Sequence, residues 1–169
     1  MNHLISVLVE NKPGVLARIS SMFARRGFNI HSLAVGPTID PEMSRMTVVV
    51  DGPEMEQIIK QLYKLVHVVK VTELTPGESV EREVMMLRVS TETAKRSELL
   101  DAAGIFDASA IDVGVDSITF ELTGDPARLA DFLELMRPYG ILDIVKSGRI
   151  ALKRDAKSRD TKKPKLKSA

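Results

Sequence analysis

Val9-Glu10-Asn11-Lys12-Pro13-Gly14-Val15-Leu16 is the stretch where a short apolar run ends and an amphipathic run begins. The residues before it, His3 to Val9, are mostly apolar and predict a β-strand. Pro13 suits the first position of a helix, and Asn11 stands where its side chain can cap that helix. Gly14 leaves backbone N–H groups bare at the helix start, where the helix dipole favours an anion. The stretch therefore predicts a strand–loop–helix junction that can hold a small carboxylate.

The rest of the first half continues from this junction as alternating strands and helices. An apolar face that includes Val15, Ile19 and Phe23 predicts a helix that ends at Gly27. The next predicted elements are strands at 28–35 and 45–50, a second helix that begins at Asp51-Gly52-Pro53, and a strand at 66–74. The order strand, helix, strand, strand, helix, strand is that of a ferredoxin-like unit.

The second half repeats this order less clearly. Its predicted strands are 83–89, 111–115, 118–122, 141–145 and 149–152, and its predicted helices are 93–103 and one that begins at Asp125-Pro126. Asp116-Ser117 and Ser147-Gly148 each separate two strand segments and predict hairpin turns. We therefore expect an α+β protein of two ferredoxin-like (βαββαβ) domains, at 1–76 and 77–153, followed by a tail at 154–169.

The basic excess of the chain is confined to its C-terminal end. Residues 153–169 contain eight Lys or Arg and two Asp, which gives this segment a net charge of +6. Because the whole chain carries +1, residues 1–152 carry −5. The segment has little apolar content and no apolar periodicity, so it predicts a disordered, solvated tail.

Composition also excludes several classes of protein. The chain has no cysteine, so disulfide frameworks and thiolate metal sites are excluded. No basic segment precedes an apolar one at the N-terminus, and no apolar run approaches 18 residues. Neither a secreted nor a membrane-spanning protein is therefore expected, and a cytoplasmic protein is the remaining expectation.

The candidate catalytic groups do not form a recognisable constellation. The first and fourth strands of a ferredoxin-like sheet are antiparallel neighbours, which places His3 and His67 at opposite ends, and His31 comes from another strand. A three-histidine metal site is therefore not expected. Ser20-Ser21 lies inside a predicted helix without a nearby base, and a glycine-rich phosphate loop is missing. We expect a chain that does no chemistry alone, with no catalytic residue, metal or cofactor of its own.

A binding role is the remaining interpretation of the opening loop. From local chemistry alone, a plain strand-to-helix turn explains it equally well. Asn29 favours binding, because in a side-by-side pair of copies the start of the second strand could face the loop of the partner. The Asn11 side chain and the bare N–H groups beside Gly14 would take a carboxylate, and the Asn29 carbonyl would take an ammonium group. Val15 and Ile30 could enclose a small aliphatic side chain, so the ligand class is a free amino acid.

Five segments carry a resemblance to a known family. They are Glu10-Asn11-Lys12-Pro13-Gly14-Val15-Leu16, Arg26-Gly27-Phe28-Asn29-Ile30-His31-Ser32-Leu33, Ser44-Arg45-Met46-Thr47, Lys60-Gln61-Leu62-Tyr63-Lys64-Leu65 and Val80-Glu81-Arg82-Glu83. The first three are similar to the amino-acid-sensing ACT domain. All five, in this order and spacing, resemble the regulatory small subunits of acetolactate synthase (acetohydroxyacid synthase). The resemblance covers about residues 2–153 and leaves the tail outside it.

This resemblance implies properties that composition and periodicity do not show. Members of the family have no catalytic activity; they bind and activate a catalytic large subunit, which is expected to use thiamine diphosphate, Mg²⁺ and FAD. They also confer feedback inhibition by valine, and sometimes by leucine or isoleucine. The resemblance implies a homodimer through paired ACT domains, with effector sites at the interface between them. The matching residues are Asn11, Gly14 and Val15 from one copy and Asn29 and Ile30 from the other.

Two other classes of function compete with this interpretation. A nucleic-acid-binding module is disfavoured, because such modules stack bases on strand aromatics. The predicted strands carry only Phe28 and Phe120, and the folded part is net negative, so neither nucleic acid nor a membrane is expected as a partner. An ACT-type sensor that regulates a different enzyme or transcription is the second alternative. The second domain and the Val80–Glu83 segment argue against it.

Overall fold

The computed structural model describes residues 2–52, 55–75, 77–92 and 95–155. Four predictions fall partly outside these residues. They concern the tail after Asp155, Pro53 and Thr93 at the starts of two helices, and residue 76 at the boundary between the two domains. The described elements of the first half are β1 (Asn2–Glu10), α1 (Val15–Arg25), β2 (Asn29–Pro37), β3 (Met43–Asp51), α2 (Met55–Leu62) and β4 (Val68–Glu73).

The second half contains the same succession of elements and one further strand. Its elements are β5 (Ser79–Ser90), α3 (Arg96–Gly104), β6 (Ser109–Val113), β7 (Ser117–Gly124), α4 (Pro126–Met136), β8 (Ile141–Lys146) and β9 (Ile150–Lys153), with a 3₁₀ turn at Arg137–Tyr139 after α4. The strand orders are β2-β3-β1-β4 and β6-β7-β5-β8, so the two sheets have the same topology. The predicted α+β class with two ferredoxin-like units is confirmed.

Apolar side chains at alternate positions of β1 determine which face of the first sheet packs against the helices. Ile5, Val7 and Val9 point to the helix side and are almost fully buried against Ile19 and Phe23 of α1. Burying one side chain of this size contributes roughly 1.5–3 kcal/mol, so the packing of this face on the helices stabilises the unit. The helices therefore lie over one face of the sheet and leave the other face for different contacts.

The end of α1 fixes where β2 begins. Gly27 has a φ of +70°, its N–H donates to the Ala24 carbonyl, and the Phe28 N–H donates to the Phe23 carbonyl at 3.0 Å. This pair of bonds is a Schellman motif, and the Phe23 and Phe28 rings pack with their centroids 6.1 Å apart. The predicted glycine stop is confirmed, and it places Asn29 at the first position of β2.

The predicted hairpin at Ser147-Gly148 is wrong. β8 and β9 do not pair with each other, because both pair antiparallel with successive parts of β5. β5 is 12 residues long, which is enough for both partners. Ser147 bridges the break, since its N–H donates to the Val84 carbonyl and its hydroxyl accepts from the Val84 N–H, each at 3.0 Å. The hairpin predicted at Asp116-Ser117 is present as the β6–β7 pair.

The two halves meet where the β5–β9 ribbon lies on the open face of the first sheet. A small apolar cluster joins Leu4 and Val49 of that sheet to Leu74 and Ala151. The backbone N–H of Arg149 donates to the Ser32 hydroxyl of β2 at 2.8 Å. The helices lie over the opposite face of the first sheet, and none of those in the described ranges is long and apolar enough to cross a membrane.

Candidate functional site

The loop between β1 and α1 is a type II turn followed directly by the helix. Gly14 has φ +83° and ψ −5°, and the Val15 N–H points back to the Lys12 carbonyl at 3.4 Å. Pro13 and Gly14 are therefore the two central residues of the turn. Proline is common at the first central position of a type II turn, and glycine at the second. The prediction that Pro13 occupies the first helical position is wrong, since α1 begins at Val15.

Asn11 does not cap α1, which corrects the second part of that prediction. Its side-chain Nδ2 donates to the Pro41 carbonyl at 2.9 Å, and its backbone N–H donates to the Glu42 carbonyl at 2.7 Å. Both acceptors belong to the connection between β2 and β3. Asn11 therefore ties the loop to its neighbouring connection. Its Oδ1 and second Nδ2 hydrogen have no partner within the described ranges, so both can bind a ligand.

The start of α1 keeps free donors, as the sequence predicts. No side chain caps this helix. Within the part of the chain that the structure describes, the N–H groups of Leu16 and Ala17 have no hydrogen-bond acceptor. These donors and the helix dipole make the loop attractive to an anion.

A charged cluster under the loop was not predicted from the sequence. The Glu10 Oε2 lies 2.7 Å from the Lys12 Nζ and 2.9 Å from the His67 Nδ1. The hydrogen bond from Lys12, followed by that from His67, lowers the pKa of the Glu10 carboxyl, and the same bond raises the pKa of Lys12. Because Glu10 compensates the charge of Lys12, the loop attracts an anion mainly through its backbone N–H groups. The antiparallel pairing of the first and fourth strands is the signal that could have placed Glu10 beside His67.

The other predicted site residues lie away from the loop or in the core. Val15 is buried, so within one copy only its backbone borders the loop. Ile30 is half-buried and packs against the same core. Asn29 is exposed at the start of β2, opposite Asp51 of β3. One chain therefore brings Asn11, Gly14 and Val15 together and leaves Asn29 and Ile30 elsewhere.

β2 is an edge strand, because within the described residues it pairs only with β3. Its ladder with β3 shifts register between Ile30 and Ser32, which leaves His31 unpaired in a bulge. The outer edge of β2 thus offers backbone donors and acceptors to another strand.

Titratable residues elsewhere in the described ranges do not gather into a metal site. No group of three or more His, Asp or Glu there is arranged to hold a metal ion. His3 lies opposite Val50 at one end of the sheet, whereas His67 lies beside Glu10 at the other end. The predicted separation of these two histidines is confirmed.

Comparison with known proteins matches both halves of the chain to one family. The model of the AHAS small subunit-like ACT domain matches residues 5–70, and the model described as small subunit of acetolactate synthase matches residues 82–155. A probable acetolactate synthase small subunit from Archaeoglobus fulgidus is 49% identical over 159 residues, which cover 93% of this chain and 99% of that protein. The chain belongs to the acetolactate synthase small-subunit family.

Two further relatives of this small subunit agree with the assignment. The acetolactate synthase small subunit of Mycolicibacterium smegmatis is 48% identical over 155 residues, with 90% of this chain and 91% of that protein covered. The crystal structure of the acetolactate synthase small subunit from Thermotoga maritima has a TM-score of 0.83 and 39% sequence identity, with 91% of this chain and 98% of that chain covered. The prediction of an ACT domain in the first half is confirmed, and a catalytic large subunit is the partner that the family implies.

Proposed function

We propose that this small subunit activates the large subunit of acetolactate synthase and makes it sensitive to feedback inhibition by valine, with leucine and isoleucine as further effectors. The effector sites lie between two copies that pair through β2. The observation that carries this proposal is that the groups for the two ends of an amino acid lie far apart within one chain. The loop with bare N–H groups is at one end of the first sheet, and the exposed Asn29 is at the other.

Antiparallel pairing of β2 with the β2 of a second copy would complete the site. β2 runs from Asn29, level with the beginning of β1, to Pro37, level with its end. In a two-fold pair centred on the strand, Asn29 of one copy reaches the Pro37 end of the other. The loop of that other copy lies at the same end, and the bond from Asn11 to the Pro41 carbonyl draws it toward β2.

The roles of the residues follow from their free groups. The N–H groups of Leu16 and Ala17, aided by Asn11, bind the carboxylate of the amino acid. The Asn29 carbonyl of the second copy accepts from its ammonium group, and Ile30 of that copy contacts the aliphatic side chain. Valine has eight heavy atoms, and roughly 0.5–1 kcal/mol for each gives about 4–8 kcal/mol, which corresponds to millimolar to micromolar affinity.

Binding in this position couples the effector to the large subunit through the dimer. A ligand stabilises the state that binds it, so valine favours the paired form. Inhibition follows if the valine-bound pair presents a changed surface to the large subunit, and the coupling between valine and large subunit must then be reciprocal. The large subunit supplies the chemistry with thiamine diphosphate, Mg²⁺ and FAD, and the small subunit contributes no catalytic group. We place the complex in the cytoplasm.

The test is acetolactate formation by the purified large subunit, with and without this chain, across a titration of valine. The proposal predicts a faster reaction when the chain is added and a progressive loss of that gain as valine rises. Parallel titrations with leucine and isoleucine rank the effectors. An unchanged rate on adding the chain, or a rate that valine never lowers, would contradict the proposal.

A further inference from the structure

A groove between the two helices of the ACT domain is not used by the proposed effector site. It runs along α1 and the C-terminal end of α2 and has a volume of about 580 Å³. α1 contacts β2 and α2 contacts β4, so the groove lies above the middle of the sheet and away from the β2 edge. Pairing of two copies through β2 would leave it open.

The described residues that line the groove include four cations and no carboxylate. Arg18, Arg25, Arg26 and Lys64 all line it, and all four are exposed. Among the residues that the structure describes, none of the four takes part in an ion pair or a side-chain hydrogen bond. By contrast, Lys60, which lies on α2 four residues before Lys64, has its Nζ 2.6 Å from the Glu56 Oε1. Four uncompensated positive charges thus collect in one place on a folded part whose net charge is negative.

The shape of this basic groove favours an extended occupant over a single small anion. Arg18 and Arg25 are seven residues apart on α1, which separates them by about 10 Å along the helix axis. The four cations are exposed, and the groove that they line is open to solvent, not an enclosed cavity. Between them, the half-buried Met22 and Leu65 form an apolar floor that is continuous with the core. A segment with spaced acidic side chains and apolar residues between them matches both features.

We propose that the basic groove is a docking site for an acidic, amphipathic segment of the large subunit. This inference rests on the large subunit as the partner of the chain, but it does not depend on the effector site. Complementary charge accelerates encounter and fixes orientation, while apolar side chains on the floor hold the bound segment. The attraction is screened by salt, so the association should weaken as ionic strength rises.

The test compares two charge-reversal variants with equal changes in net charge. Arg25→Glu/Lys64→Glu reverses one cation on each side of the groove. Lys70→Glu/Lys146→Glu reverses two exposed lysines outside it, on β4 and β8. Affinity for the large subunit is measured by calorimetry at low and at physiological salt. We expect the groove variant to bind at least about tenfold more weakly and with a smaller dependence on salt, and the control to bind as the unmodified chain does.

Several outcomes would overturn the inference. Unchanged affinity in the groove variant, or an equal loss in the control, would do so. Binding of tripolyphosphate is measured in parallel. If the groove variant binds tripolyphosphate more weakly but binds the large subunit unchanged, the groove is a small-anion site and the inference is wrong. A melting curve and a valine-binding measurement show that each variant is folded, and Arg25→Gln/Lys64→Gln replaces the reversal if that variant does not fold. Failure of the unmodified chain to bind the large subunit would also contradict the proposed function, whereas unchanged binding by the groove variant overturns this inference alone.

Discussion

Asn11 and Asn29 lie at opposite ends of one antiparallel sheet. Asn11 directly follows Glu10, which is opposite Met43 of β3, and Asn29 is opposite Asp51 at the other end of that strand. β3 has nine residues, so the two asparagines are separated by about 26 Å along the strand direction. A free amino acid is a single residue, and one residue spans at most about 3.6 Å of extended chain. One amino acid therefore cannot contact both asparagines of one chain. If both bind the same ligand, they belong to different copies.

Replacement of Gly14 by Asp should abolish the response to valine without preventing activation. The new carboxylate would stand near the carboxylate of the ligand, and at ~4 Å with an effective dielectric constant of ~20 the repulsion is about 4 kcal/mol. That is nearly a thousandfold in affinity. Activity of the large subunit across a valine titration measures the effect. Gly14→Asn is the matched control, because Asn tolerates the positive φ of this turn and adds no charge. Equal sensitivity in the Asp and unmodified chains would show that valine binds elsewhere.

Replacement of Glu10 by Gln should cost stability only while the carboxyl group is ionised. Its hydrogen bonds to Lys12 and His67 hold the folded-state pKa of Glu10 below the unfolded value. The stabilisation is therefore complete above the unfolded pKa of about 4.3 and is lost as the pH falls through the folded pKa. Melting temperatures from neutral to strongly acidic pH should show a gap between Glu10→Gln and the unmodified chain that closes in acid. Glu121→Gln is the control, because Glu121 is exposed and has no such partner among the residues with a described structure. A gap that is constant with pH would exclude this origin.

Sequence reasoning succeeded where the decisive interactions are local. Gly27 and Phe28 close α1 with bonds that span a few residues, and the sequence predicts this stop correctly. Pro13 and Gly14 are also local, but a proline before a glycine suits both a helix start and a turn centre. The positive φ of Gly14 shows that the two residues form a turn and not the start of the helix. The pattern of apolar residues carries no information on that angle.

The errors and omissions arise from contacts between distant residues. Ser147-Gly148 looks like a hairpin turn, but the length of β5 lets both flanking strands pair with it instead. Glu10 and His67 are 57 positions apart and meet only because β1 and β4 are neighbours. The groove cations come from α1, from Arg26 directly after it and from the turn that follows α2, and packing on the sheet sets their spacing. Of the predicted effector residues, Asn11, Gly14 and Val15 lie together at the loop, and the binding role of all five residues stays a prediction.

Replacement of Gly148 by Ala should weaken the contact between the two halves of the chain. Gly148 has a φ of +80°, and a Cβ there would lie 2.9 Å from the Leu33 carbonyl oxygen and 3.1 Å from the Ser32 hydroxyl. The backbone conformation alone costs about 1–2 kcal/mol for a residue with a side chain. We expect the melting temperature to fall by roughly 5 °C, measured by calorimetry. Gly104→Ala, where a Cβ meets nothing within 4 Å, should leave it unchanged or slightly higher. Equal melting temperatures for both variants would contradict the tight approach at Gly148.

A mixing experiment with Asn11→Ala and Asn29→Ala chains tests the shared effector site most directly. Each variant alone should activate the large subunit and be insensitive to valine, because every site in its homodimer lacks one asparagine. A mixed dimer has one site with both substitutions and one with neither. The two variants are purified separately, co-refolded, shown to form heterodimers and assayed with the large subunit across valine concentrations. The shared-site account predicts that the mixture regains part of the valine inhibition. A mixture as insensitive as its parents, although heterodimers are present, would contradict it.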